Sequence, residues 1–419
     1  MKILILSNKF PYPEKDGYAI AVMGMIQGFA EAGHEVTLLA LNTKKHYTFL
    51  QSVPDWLKQT AHLYAIDINT DYSYWDIIGN LLFSDEPIHI QRFYSKGFEN
   101  QLAEILQKGN FDVVQLEGLY LTVYVPTIRA HSQAAVVLRA HNLEYEIWER
   151  QAKGETAYFR RTYLQELAKR IQNYEWKHLT GDTYDAIVPI SGRDAKIMKQ
   201  NKVRKPMLVS GYGVELSKLK TYDTPRDPHS VFFIGALDWM PNLEGLTWFV
   251  ETVWKQIHAL YPQMKFYIAG RNMDAGFLMN KSEADGIIKV GEIEDAQQFM
   301  YEKGVMVVPL FSGSGIRIKI IEGMAMGKAI IATEVAMEGN PAENGKHVIV
   351  AGEDNLDDFL NHLAMFTEKP GYAEMFGRQA KEYALATFDR KKIIAQLTQF
   401  YQGLKKGGAS PSKPRDLFS

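Results

Sequence analysis

A chain of 419 residues is long for a single core and sufficient for two. Its 47 basic and 49 acidic side chains leave a formal net charge of −2, so no basic field points to a nucleic-acid partner. The absence of cysteine excludes disulfides, thiolate nucleophiles and cysteine-ligated metal centres.

Lys2–Ser7 (KILILS) reads as a buried strand, because its apolar run is too short for a signal peptide and has no small-residue cleavage site. A helix is expected from about Tyr18 to Ala32, with Ala19, Val22, Met23, Ile26, Phe29 and Ala30 on one face and Gly33 as its stop. Further strands are expected at Glu35–Leu41, Asp112–Leu116, Ala135–Ala140 and Asp185–Ile190, with a long helix at about Tyr158–Leu179. The pattern then restarts at Val231–Gly235, Lys265–Gly270, Ile287–Gly291, Val305–Leu310, Lys328–Thr333 and His347–Ala351. Apolar strands alternating with helices predict parallel sheets covered on both faces. The fold class is therefore α/β, with two doubly wound, Rossmann-like domains facing a cleft.

The polar, proline-containing stretch around Ser210–Ser230 is the expected connection, giving a first domain over 1–210 and a second over 211–390. A last helix, about 391–404, is expected to pack back on the first domain, and 405–419 is expected to be a disordered tail. No stretch approaches the ~20 apolar residues of a membrane-spanning helix. A cytoplasmic protein is expected, with at most peripheral contact at the inner membrane face. Phe159–Leu179 mixes aromatic and basic residues, but Glu166 and Glu175 favour a solvated face over a membrane-surface helix.

The most informative segment is Pro309–Thr333 (PLFSGSGIRIKIIEGMAMGKAIIAT). A Gly/Ser loop, Ser312–Gly315, separates a strand from a helix expected at about Ile316–Met326. Glycines let backbone approach a ligand, and a helix N-terminus favours an anion. Arg317 and Lys319 in the first turn oppose the helix dipole, which an anionic ligand would explain. Lys319 and Glu322 share a face, so a lysine for a diphosphate and a carboxylate for a ribose diol stand together. An ordinary amphipathic helix with solvated cations remains the plain alternative.

This segment resembles the donor site of family 4 retaining glycosyltransferases, which have the GT-B fold. Many members carry two glutamates seven residues apart. Glu322 matches the second, which binds the nucleotide ribose, while Ser314 stands where the first would fall. In that respect the chain resembles a sub-group whose loop reads Gly-Ser-Gly-x-Arg-x-Lys-x-x-Glu, in which loop amides and Ser314 would hold the sugar hydroxyls.

Other segments fit the same resemblance. Gly17, ending the loop Asn8–Gly17, matches a position that approaches the donor phosphates, although Asp16 stands where the common form has a second glycine. His141, after the strand ending in Ala140, matches a histidine beside the transferred sugar; as a lone strand-end histidine it reads equally as structural. Gly235 to Asn242 (GALDWMPN) matches a donor loop, with Trp239 read as a core aromatic. Gly291-Glu292-Ile293 falls where the family's backbone reads the nucleobase.

The resemblance implies transfer of a hexosyl-type sugar, with retention, from a nucleotide-diphosphate sugar of UDP or GDP type. The acceptor would be a glycan or a lipid-linked acceptor in cell-surface polysaccharide synthesis. No cofactor and no metal ligand is assigned, since no Asp-x-Asp stands near a strand end. His141, Arg317 and Lys319 are the expected catalytic residues. Gly17, Gly235, Asn242, Arg271, Glu292, Ile293, Ser314, Gly315, Ile316 and Glu322 are the expected donor-binding residues. Preorganised cations and amides aimed at the leaving diphosphate are the natural catalytic device. A sugar-nucleotide epimerase on the same fold and a decayed nucleotide-sugar-binding protein remain alternatives, Ser314 giving the latter some support.

Overall fold

The structure, a computed structural model, describes residues 1–84, 86–313, 315–352 and 356–405. Twelve strands form two sheets. The first contains β1 (Lys2–Ser7), β2 (Glu35–Thr43), β3 (His62–Ile68), β4 (Val113–Glu117), β5 (Ala135–Ala140) and β6 (Ala186–Pro189). In the second stand β7 (Asp227–Ile234), β8 (Lys265–Ala269), β9 (Ile287–Gly291), β10 (Lys303–Val308), β11 (Ala329–Ala332) and β12 (Ile349–Val350). Helices named below are α1 (Gly17–Glu31), α2 (Tyr74–Phe83), α3 (Glu144–Gly154), α4 (Tyr158–Thr180), α5 (Met240–Trp248), α6 (Ile318–Ala325) and α7 (Arg390–Lys405).

Both sheets are parallel throughout, ordered β3-β2-β1-β4-β5-β6 and β12-β11-β10-β7-β8-β9. Each reverses its winding beside its first strand, and ligands of such sheets bind outside the strand carboxyl ends at that point. The switch lies between β1 and β4 in one sheet and between β7 and β10 in the other.

The alternation of β1 explains its unbroken apolar run. Leu4 and Leu6 point into one core with Val114, Leu116 and Leu138. Ile3 and Ile5 point into the opposite core with Phe29 and with Ile394 and Leu397 of α7. Gly28 of α1 permits that second packing, since a Cβ there would lie 2.5 Å from Ile394 Cγ1.

Two compact units result, Met1–Gly213 with the described residues from Arg390 onward, and Val214–Asp389. Within the first, Arg390 grips Glu31 with Nη2 (2.7 and 2.8 Å) and Gln27 with Nη1 (2.9 Å). Of the expected tail, residues 406–419 lie outside those described.

Asp16 caps α1, accepting the Ala19 N–H at 3.0 Å, and Gly33 at φ +78° ends it. Strand β3 has no counterpart among the sequence expectations. It is an edge strand with only half-buried and exposed residues, so it lacks the apolar run of its neighbours. The helix expected from about Ile316 is α6, which begins at Ile318. Arg317 is its N-cap, in extended backbone, and Lys319 stands in its first turn. Among the described residues no helix is long and apolar enough to cross a membrane.

Candidate functional site

In the second unit the ends of β7, β8 and β9 finish in Gly235, Gly270 and Gly291. Gly235 N–H donates to Ala269 O (3.1 Å) and Gly270 N–H to Gly291 O (2.7 Å). A Cβ on Gly270 would fall 1.6 Å from Gly235 O, so only glycine fits there. This close approach leaves a shallow backbone edge at the carboxyl ends of the strands. The loop after β7 enters α5, and the loop after β10 enters α6.

Lys319 joins these pieces. Its Nζ donates to Asn242 Oδ1 at 3.1 Å and sits 4.1 Å from the centre of the Phe233 ring. Asn242 is itself fixed by Nδ2 donating to Ala236 O at 2.7 Å. A Cβ on Gly235 would lie 3.0 Å from Lys319 Nζ. Among the described residues Lys319 has no carboxylate partner, and burial, reinforced by Arg317, pushes its pKa down to about 7. A half-buried ammonium with spare donors beside a glycine-lined edge is a charge prepared for an anion.

Arg317 does different work. It is 7% exposed, its Nη1 donates back to Gly315 O (2.9 Å), and its guanidinium lies 5.5 Å from the Trp239 ring centre. It braces the glycine loop against Trp239, which is 38% exposed and not the core aromatic expected. Gly313, at φ +105°, makes the contact possible, because a Cβ would stand 2.9 Å from both Arg317 Nη2 and Trp239 Cη2. Gly313→Ala is therefore expected to lower stability by about 1–3 kcal/mol, measured by chemical denaturation.

The remaining expected donor residues are distributed along the same sheet edge. Glu322 lies one turn beyond Lys319 on α6, half-buried. Gly315 (φ +81°) and Ile316 lead into that helix. Arg271 follows β8 and its carbonyl accepts the Leu237 N–H at 2.9 Å. Glu292, exposed, and Ile293 follow β9. Ser314 lies outside the described residues.

The first unit gathers a second group at the ends of β1, β4 and β5. His141 Nε2 and Arg139 Nη1 both donate to Glu117 Oε2, at 2.6 and 3.2 Å. Gln115 Nε2 donates to Glu117 Oε1, and Tyr401 of α7 donates to Gln115 Oε1 at 2.6 Å. Burial raises the Glu117 pKa, but the charge of Arg139 and the His141 hydrogen bond outweigh it, and the carboxyl ends below its ordinary value. Burial likewise dominates at His141 and lowers its pKa, against the opposing pull of Glu117. An ionised carboxylate can only accept, so the proton of the neutral imidazole sits on Nε2. Nδ1 then carries the lone pair, an acceptor for a hydroxyl.

Gly17 is placed beside this group. The ring of Tyr18, next in sequence, packs 4.8 Å from His141, and its hydroxyl donates to Glu117 O at 3.1 Å. Asp16 also accepts from Lys9 Nζ at 2.6 Å, so the start of α1 already carries a carboxylate. Sequence reasoning missed Glu117 and Tyr18. A usable signal was Gln115 and Glu117 alternating as polar residues within a buried-strand pattern (VVQLE). Among the described residues no group of three or more His, Asp or Glu side chains is disposed to hold a metal.

Residues 228–368 match the family described as "Glycosyl transferases group 1". That span carries Gly235, Asn242, Lys319 and Glu322. The chain is also 21% identical over 413 residues, 94% of its length and 98% of the relative's, to an uncharacterized 44.6 kDa protein in the cps region of Klebsiella pneumoniae. Among solved structures it resembles sucrose-phosphate synthase from Thermosynechococcus elongatus (TM-score 0.70, 17% identity, 97% of this chain and 100% of that one). It is similarly close to Anabaena HepE, solved in complex with UDP (TM-score 0.68, 12% identity, 96% and 100%). At such identities the structural likeness is one of fold: two Rossmann-like domains of GT-B type. The family match and this likeness together support a GT-B glycosyltransferase.

Proposed function

We propose that the protein is a retaining, metal-independent glycosyltransferase of family 4 that moves a hexosyl-type sugar from a UDP- or GDP-sugar to a glycan or lipid-linked acceptor. The observation that carries this reading is Lys319, without an acidic partner among the described residues and held by Asn242 against the glycine-lined end of β7, inside the segment matching group 1 glycosyl transferases. HepE, of the same fold, has been solved with UDP-glucose. A relative in a cps region favours cell-surface polysaccharide as the product.

In this mechanism Lys319 neutralises the departing diphosphate and Glu322 accepts hydrogen bonds from the ribose. Arg317 keeps the loop in place. The acceptor hydroxyl attacks from the face the leaving phosphate vacates, and that phosphate takes its proton. His141 Nδ1 accepts a hydroxyl hydrogen bond from the transferred sugar.

A thermal-shift panel of UDP- and GDP-sugars tests the reading. A donor at ~100-fold above its dissociation constant should add ~2.7 kcal/mol. Glu322→Ala should weaken that donor by about ten- to hundred-fold, the loss of a charged hydrogen bond of ~1.5–3 kcal/mol. If no nucleotide sugar shifts the melting temperature, the assignment fails. Release of an altered nucleotide sugar without an acceptor would identify an epimerase.

A cytoplasmic location with peripheral membrane contact belongs to the same proposal. Trp75 and Phe83 on α2 are 80% and 87% exposed, as is Phe159 on α4 at 87%, next to the exposed Arg160 and Arg161. The two helices are tied by Arg170 Nη1 donating to Asn80 Oδ1 at 3.0 Å. Exposed aromatics beside basic side chains suit an anionic interface. Co-sedimentation with anionic phospholipid vesicles should fall when Trp75 and Phe159 are both changed to serine; undiminished binding discards this surface.

A further inference from the structure

A third polar group in the first unit has no role in the chemistry above. His89, in the short helix Ile88–Gln91, is 3% exposed. Its Nε2 pairs with the Tyr72 hydroxyl at 2.9 Å, and its ring lies 4.2 Å from that of Trp148 on α3. Its Nδ1 is buried with no hydrogen-bond partner. Arg92 follows within one turn, its guanidinium 5.7 Å from the Tyr72 ring centre and 5.0 Å from that of Phe93. Arg92 Nε and the hydroxyl of Tyr163 on α4 are likewise buried without partners. Arg92 has no ion pair among the described residues.

Leaving a buried polar atom unpaired costs about 1–3 kcal/mol. Such atoms are few in native proteins, and each asks for an explanation. Three of them stand close together, two from one short helix and its C-cap and one from α4, with half-buried Tyr72 and Trp148 packed against them. Aromatic faces with hydrogen-bonding groups set between them suit the alternating C–H and O–H surfaces of a sugar. An arginine with no counterion adds a demand for a carboxylate or phosphate, which its planar fork matches. The location also fits. Trp148 stands on α3, whose first residue, Glu144, follows His141 by three positions and accepts from the Tyr120 hydroxyl at 2.9 Å.

We propose that Tyr72, His89, Arg92, Trp148 and Tyr163 form a recognition site for a negatively charged saccharide, with Arg92 pairing the sugar's carboxylate or phosphate. As the place where the acceptor glycan is held, it rests on the transferase reading; as a binding site, it stands on its own contacts.

Calorimetric titration of the full chain separates the two. Methyl glucuronide, methyl glucoside and inorganic phosphate are the probes, with UDP titrated in parallel. Methyl glucuronide should bind saturably and methyl glucoside at least about ten-fold more weakly. Arg92→Gln should weaken the glucuronide about ten-fold while leaving UDP affinity unchanged. Tyr163→Phe, which removes only a hydroxyl, should weaken both glycosides by a few-fold and report independently if Arg92→Gln misfolds. Phosphate that displaces the glucuronide and is lost in Arg92→Gln supports the anion subsite and marks a phosphorylated sugar as its source. The proposal is overturned if neither glycoside binds, if charged and neutral glycosides bind alike, or if a folded Arg92→Gln binds as the wild type does. A loss of UDP binding in the wild type would instead count against the transferase reading alone.

Discussion

Replacing Lys319 with alanine should lower turnover by about 10²–10³-fold, the usual effect of removing one group that stabilises charge in a transition state, while donor affinity changes much less. The leaving diphosphate gains charge only as the sugar departs, so a cation aimed at it contributes most at that moment. On the proposed reading this task falls to one residue. Arg317, the other expected cation, is turned into its own loop by Gly315 O and Trp239. Among the described residues Lys319 keeps a single side-chain acceptor, Asn242.

Its pKa gives a second test. Burial lowers the ammonium pKa to about 7, so in the unbound protein most Lys319 is neutral at pH 8. A bound diphosphate favours the charged form and moves the pKa back up. Donor binding should therefore take up a proton near pH 8, and less below pH 7, where Lys319 is already protonated. Calorimetry in buffers of different ionisation enthalpy reads that uptake directly. It should vanish in Lys319→Ala; uptake that persists, or wild-type turnover in the variant, would remove Lys319 from its role.

How far the sequence foretold this site depends on the kind of interaction. Unbroken runs such as KILILS and DVVQL announced strands buried on both faces, and Gly33 marked a helix end, because burial and positive φ are local demands. The segment around Gly313, Lys319 and Glu322 was legible for a similar reason: glycine loop, helix start and charges are contiguous. Three features escaped. Strand β3 alternates weakly because it is an edge. The division of labour between Arg317 and Lys319 depends on Trp239, roughly 80 residues away in sequence, which occupies one cation and leaves the other. The partner of His141 is Glu117 on the neighbouring strand, a pairing fixed by register, with Glu117 opposite Arg139, which no local pattern encodes.

That register leads to the second large effect. Glu117→Gln should reduce stability by about 3–5 kcal/mol, the range for removing one partner of a buried ion pair. Arg139 is completely buried, and its Nε and Nη2 already lack partners, so loss of the carboxylate leaves its charge uncompensated. The linkage sign agrees. Because the Glu117 pKa is depressed in the folded protein, its contribution is present above the ordinary glutamate range and is lost as pH falls through the folded value. His141, also depressed, adds a penalty once pH drops below its unfolded pKa of about 6.5. Wild type should thus lose stability on acidification and Glu117→Gln should lose less below the ordinary glutamate range, as urea melts extended from pH 7 to about pH 2 would measure.

On the proposed reading Glu117 positions His141, and turnover distinguishes that role from a merely structural one. A glutamine can turn its NH₂ toward His141 Nε2, which moves the imidazole proton to Nδ1 and removes the acceptor there. Adding Arg139→Met to Glu117→Gln removes the orphaned charge and should restore most of the lost stability, since an apolar replacement of a buried pair is often neutral. Turnover should nevertheless stay depressed by about ten-fold, the loss of one hydrogen-bond acceptor for the transferred sugar. Were turnover to recover together with stability, Glu117 would be serving the fold alone and His141 would need no particular tautomer.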